Sequence, residues 1–185
     1  MIEEALEEMK LKMDKSIGAL RRELAKVRTG RASTALLEGI RVDYYGSSTP
    51  LNQMATLSVP ESRLITIQPW DVGALADIEK AILKSDVGLT PNNDGKIIRL
   101  NVPALTEERR REMVKLAKRI GEDCRVAVRN ARRETNEFLK DLEKEKEISE
   151  DNLKRSYDLV QNITNDYIKK IDNIIKAKET DVMEV

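Results

Sequence analysis

The chain has 185 residues, 33 Lys and Arg against 33 Asp and Glu, one cysteine and no histidine. Balanced charge excludes a global field toward nucleic acid or membrane, so any such contact needs a local patch. Lack of histidine excludes Ser-His-Asp and Cys-His catalysis and histidine metal sites, and the lone cysteine excludes an internal disulfide framework, as suits a reducing cytoplasm.

Charged residues make up 36% of the chain and aromatics 3%, a composition of long helices packed side by side. The opening MIEEALEEMKLKMDK is acidic and reads as neither a signal peptide nor a membrane span. Over residues 2–29, apolar side chains at Ile2, Leu6, Met9, Met13, Ile17, Leu20, Leu24 and Val27 recur at steps of three and four. That spacing predicts a helix ending at Thr29-Gly30.

Residues 30–104 hold all five prolines. Strands are predicted at 40–45, 54–59, 63–67 and 96–102, with turns at Gly46, Pro60-Glu61 and 92–95. A short helix fits 74–84, with Leu75, Ile78, Ile82 and Leu83 as its inner stripe. Trp70 and the Tyr44-Tyr45 pair are expected to pack this unit. From Thr106, a cap residue followed by Glu107 and Glu108, helical spacing returns and runs to about residue 146. Ser149 then caps a last helix, with Ile148 and Leu153 at staple spacing.

The expected fold is α+β: an antiparallel three-helix bundle from 1–29 and 106–185, with a small β/α/β domain, 30–105, inserted between helices one and two. Two chain passages join the lobes, which suggests a hinge at Thr29, Gly30, Arg31 and Ala32 and at Pro103, Ala104, Leu105 and Thr106.

No glycine-rich phosphate loop is present. Cys124 lies on the apolar stripe and reads as a small buried hydrophobe rather than a nucleophile. The distinctive feature is helix two. Residues 105–140 carry eleven basic against seven acidic residues, a local excess of four. With the core direction set through Ile120, Ala127 and Phe138, the residues Arg111, Lys115, Lys118, Arg125, Arg129, Arg132 and Arg133 point to the opposite side, Glu122 being the only acid among them. Such a stripe is either a solubilising face with internal ion pairs or an array of planar guanidinium donors for the phosphates of folded RNA. Arg28 and Arg31 form a second basic cluster, either stabilising a helix end or binding.

The strings VRTGRAS (27–33), VDYYGSSTPLNQMATLSV (42–59), EKAILKSDVGLTPNNDGKIIRLNVPALTEERR (79–110) and RVAVRNARRE (125–134), with KEISED (146–151), closely resemble the bacterial ribosome recycling factors over essentially the whole chain. That resemblance implies an L-shaped two-domain molecule, without catalysis, cofactor or metal. It implies binding to the post-termination 70S ribosome across the A and P sites. It further implies splitting into subunits with elongation factor G and GTP, so that mRNA and tRNA are released. Large-subunit rRNA would be contacted through Arg132 and Arg129, then Arg110 and Arg133, with Arg125 on the same stripe. Such a factor is expected to be cytoplasmic, monomeric and free of the membrane. The alternative is a helical-bundle adaptor docking a partner helix, which would need a spare apolar stripe and would be expected to dimerise.

Overall fold

Along the chain run α1 (Ile2–Ala25), β1 (Arg41–Tyr44), β2 (Ser47–Pro50), β3 (Ala55–Glu61), β4 (Leu64–Pro69), α2 (Leu75–Lys84), β5 (Pro91–Asn93), β6 (Ile98–Asn101), α3 (Glu107–Lys144) and α4 (Glu150–Met183). They were obtained from a computed structural model, which describes residues 1–184. Two units separate: Met1–Val27 with the chain from Arg110 onward, and Arg28–Arg109.

The first unit is a bundle of α1, α3 and α4. Lys12 Nζ meets Glu134 Oε2 at 3.0 Å and Cys124 Sγ donates to Ser16 O at 3.4 Å, so α3 runs antiparallel to α1. Lys118 with Glu179 and Arg125 with Asp172 give the same antiparallel register between α3 and α4. Met9, Met13, Leu20, Leu24, Val128, Leu139, Val160 and Ile171 fill the core. Tyr167 is buried among them, and its hydroxyl donates to Asp14 Oδ1 at 2.7 Å. Desolvation first, and this bond second, push the phenol up to about 12.

Much of the inward face of α3 is small: Ala117, Gly121, Cys124, Ala131 and Thr135 are buried beside Val128, Leu139 and Leu142. At Gly121 a Cβ would lie 2.6 Å from Ile175 Cδ1 and 2.7 Å from its Cγ1, so glycine is what lets α4 approach. This corrects the core direction expected from sequence. Phe138 is 49% exposed, and Ile120 and Ala127 are only half-buried. The observed core direction is rotated by about 65° from theirs, at 100° per residue.

α1 also ends earlier than residue 29. Lys26 N and Val27 N reach back three residues, to Glu23 O at 3.2 Å and Leu24 O at 3.1 Å, which tightens the last turn and closes the helix at Ala25. Val27 remains buried, and Gly30 turns in the following loop rather than at the helix end. At the other junction Ser149 Oγ accepts from Asn152 N at 3.2 Å, and Ile148 and Leu153 pack on the core.

In the second unit β1 and β2 form a hairpin through Tyr45-Gly46, whose φ values of 49° and 76° are those of a two-residue turn matched to strand twist. The other strands form an antiparallel sheet in the order β3-β4-β6-β5. Ile78 and Ile82 of α2 share a core with Ile65, Ile67, Ile98 and Leu100. Leu83, expected inside, is exposed. β2 and β5 are absent from the sequence-based expectation. Their residues, SSTP and PNN, are polar or turn-forming and carry no alternation. Tyr45 is 86% and Trp70 68% exposed, so neither packs the unit as expected. Tyr44 does pack against the core, and its hydroxyl donates to Asp71 Oδ2 at 2.8 Å. Among the described residues no helix is long and apolar enough to cross a membrane.

Candidate nucleic-acid interface

Rotation of the core direction moves Arg125, Arg129 and Arg132 from the back of α3 to the flank beside α4, and each then finds a different environment. The Arg125 side chain is 23% exposed. Its Nη2 and Nε donate to Asp172 Oδ1 at 2.6 and 3.0 Å, and Nη1 donates to Glu122 Oε2 at 3.1 Å. The expectation that Glu122 is the only acid among the stripe residues is therefore corrected at this position. Asp172 belongs to another helix, and a single-helix projection does not contain it. The Asp172 bond is also the first cause of the raised affinity of Arg125 for its proton.

Arg129 is more open, its side chain 43% exposed, with Nη1 donating to Glu122 Oε1 at 3.0 Å. Glu122 thus serves two cations. Hydrogen bonding, from Arg125 first and Arg129 second, holds its carboxyl below the usual range. Among the described residues Arg132 meets no carboxylate. Its Nη1 donates to the neutral Gln161 Oε1 at 3.3 Å, and Gln161 Nε2 donates to Asn165 Oδ1 at 2.8 Å. Arg133 is exposed. Arg110 is half-buried on the inner side of α3, and its Nε has no acceptor among the described residues.

Arg129, Arg132 and Arg133 therefore bring three guanidinium groups within about 6 Å of rise along one helix. A planar, permanently charged donor fork is suited to bidentate binding of phosphate. Arg125 differs, because a partly buried pair already uses its fork. Gln161 and Asn165 were missed by reading α3 alone. The usable signal was register: once 125 faces 172 in an antiparallel pair, 132 must face a position near 165.

The candidate hinge residues lie side by side. Gly30 has φ 76°, and a Cβ there would lie 3.4 Å from both Leu105 Cγ and Leu105 N. Thr29 Oγ1 accepts from Arg31 N at 3.3 Å. Pro103 and Ala104 are exposed and Leu105 is half-buried. Arg28 donates through Nη2 to Val87 O, so it braces the loop after α2. The boundaries of the two units fall just outside these residues, at Val27/Arg28 and Arg109/Arg110.

A protein-family model described as ribosome recycling factor matches residues 20–183. The ribosome-recycling factor of Desulfatibacillum aliphaticivorans is 54% identical over 184 residues, with both chains fully covered. That of Geobacillus kaustophilus is 57% identical over 185 residues, again with full coverage of both. Among solved structures, a solution structure of the ribosome recycling factor superposes with a TM-score of 0.81 at 45% identity, covering 100% of this chain and 98% of that one. A second structure matches with a TM-score of 0.69 at 44% identity and full coverage of both chains. It is described as models of the T. thermophilus ribosome recycling factor and the E. coli elongation factor G bound to the E. coli post-termination complex.

Proposed function

Since the chain belongs to the ribosome recycling factor family, we propose that it binds the bacterial post-termination ribosome across the A and P sites. With elongation factor G and that partner's GTP hydrolysis it splits the ribosome into subunits, freeing mRNA and tRNA for another round. The protein acts in the cytoplasm as a monomer and makes or breaks no covalent bond itself. The observation that carries this reading beyond family membership is the cluster of Arg129, Arg132 and Arg133, with Arg132 next to an amide rather than a carboxylate. The neighbour described with elongation factor G on a post-termination complex supports the choice of partners.

In this reading the bundle grips large-subunit rRNA through Arg132 and Arg129, aided by Arg133. Arg110 contributes where the first turns of α3 reach the RNA. Arg125 chiefly ties α3 to α4. Each charge-assisted phosphate contact contributes on the order of 1.5–3 kcal/mol. A stiff helical grip lets a force applied to the smaller unit reach the inter-subunit RNA bridges without being lost in bending. The linkers at Thr29–Arg31 and Pro103–Leu105 flex as that unit moves. An adaptor role is less well supported, because the family match runs from residue 20 to residue 183.

The test is subunit splitting followed by light scattering with purified post-termination ribosomes. Splitting should need this protein, elongation factor G and GTP together, and Arg132→Ala should lower ribosome affinity with helicity unchanged. Normal binding and splitting by Arg132→Ala would overturn the proposed grip.

A further inference from the structure

We propose that Gln161 is a positioning residue for Arg132, holding the guanidinium at the α3–α4 seam through a neutral amide so that its whole charge stays available to an RNA phosphate. The inference rests on the rRNA-binding reading above and assigns a role to a residue on a different helix.

Three basic residues of α3 face α4 in antiparallel register. Lys118 meets Glu179 at 3.8 Å, and Arg125 meets Asp172 at 2.6 Å. Arg132 meets Gln161 at 3.3 Å. The cross-helix acceptor thus changes from carboxylate to carboxamide at the position where the stripe opens. Among the described residues no carboxylate lies within ion-pair distance of Arg132, whose cross-helix acceptor is the neutral Gln161.

The amide is itself oriented. Gln161 Nε2 donates to Asn165 Oδ1 at 2.8 Å, one helical turn onward, which leaves Oε1 toward α3. The reverse orientation would set an NH2 donor against guanidinium donors, with no bond formed. Asn165 is neutral too, so the relay from Asn165 through Gln161 to Arg132 steers the fork without adding negative charge. A carboxylate at 161 would reproduce the Arg125–Asp172 arrangement. The arginine would then have to leave an ion pair before binding phosphate, and the RNA would meet a neutral pair rather than a cation. The long 3.3 Å contact to a neutral acceptor suits a side chain that is held in place yet readily transferred to a stronger, charged acceptor.

The experiment measures binding of the full chain to purified bacterial 70S ribosomes across a range of salt concentrations. The variants are Gln161→Glu, Gln161→Met and Arg132→Ala, alone and combined, with circular dichroism as the check on folding. Gln161 is exposed, so all should fold. Gln161→Glu should weaken binding about tenfold and lower the salt slope by about one, the signature of one lost phosphate contact. Gln161→Met, which removes the acceptor but adds no charge, should weaken it by no more than about threefold at the parental slope. In the Arg132→Ala background, Gln161→Glu should lose most of its effect. A carboxylate that merely repelled RNA would cost the same in both backgrounds, and that result would overturn the inference. So would parental binding by Gln161→Glu while Arg132→Ala binds weakly. Parental binding by Arg132→Ala would instead sink the rRNA-binding reading, and this inference with it.

Discussion

Single residues decide how closely α3 and α4 pack, and Gly121 is one of them. In a helix interior, alanine is favoured over glycine by about 1 kcal/mol. Here the added Cβ would sit 2.6 Å from Ile175 Cδ1, closer than any real contact. Overpacking of this kind costs roughly 1–3 kcal/mol. Gly121→Ala should therefore destabilise the bundle in urea titrations, by up to about 2 kcal/mol net. In an Ile175→Ala background the blocking atoms are gone, and the same substitution should become neutral or stabilising. Equal cost in both backgrounds would mean that the close approach is not what selects glycine. Hydrophobicity could not reveal this position. Ile120 and Phe138 outrank Gly121, Ala117 and Thr135 on any apolar scale, yet the three small residues are buried while Ile120 is half-buried and Phe138 exposed. The same error placed Arg125 on open surface. Its true neighbour, Asp172, is separated by 47 residues of sequence and appears only when α4 is laid alongside.

At the level of elements, long stripes were legible and short strands were not. Eight apolar positions in 2–29 gave α1, and the cap at Ser149 gave the start of α4, because helical periodicity accumulates over many turns. β5 has three residues, and its pairing with β6 depends on the turn that follows it. That turn is built by Asp94. Its Oδ1 accepts from Ile97 N at 2.8 Å and Lys96 N at 3.0 Å, and its Oδ2 pairs with Arg99. The Ile97 bond first, then Arg99 and Lys96, lower the carboxyl to about 2. A carboxyl depressed in the folded state contributes stability above its ordinary value near 4, and that contribution is lost as pH falls from about 4 to about 2. Asp94→Asn should therefore be less stable than the parent at pH 7, and the gap should narrow over that window. Chemical denaturation of the two proteins at pH 7, 4 and 2.5 measures it. A gap unchanged at pH 2.5 would show that the ionised carboxylate is not what holds the turn.

For the molecule as a whole, the decisive fact is that the two hydrophobic cores have no residue in common. Each unit can then lose packing without directly removing a core contact from the other, so the proposed grip and the proposed force transmission can be tested separately. Ile67 is fully buried in the second unit, between the sheet and α2. Truncation to alanine there should cost about 2–5 kcal/mol, combining lost burial with the cavity left behind. That loss should appear as faster amide exchange within Arg28–Arg109, while amides of α3 and α4 keep their protection. Ribosome binding depends on the bundle in the proposed mechanism, so its salt dependence should stay near that of the parent. Subunit splitting with elongation factor G and GTP should fall, because a softened unit yields under a push instead of transmitting it. Arg132→Ala should give the opposite pattern, with exchange in both units unchanged and binding lost first. If Ile67→Ala weakened binding as much as splitting, grip and force transmission would not be divided between the two units.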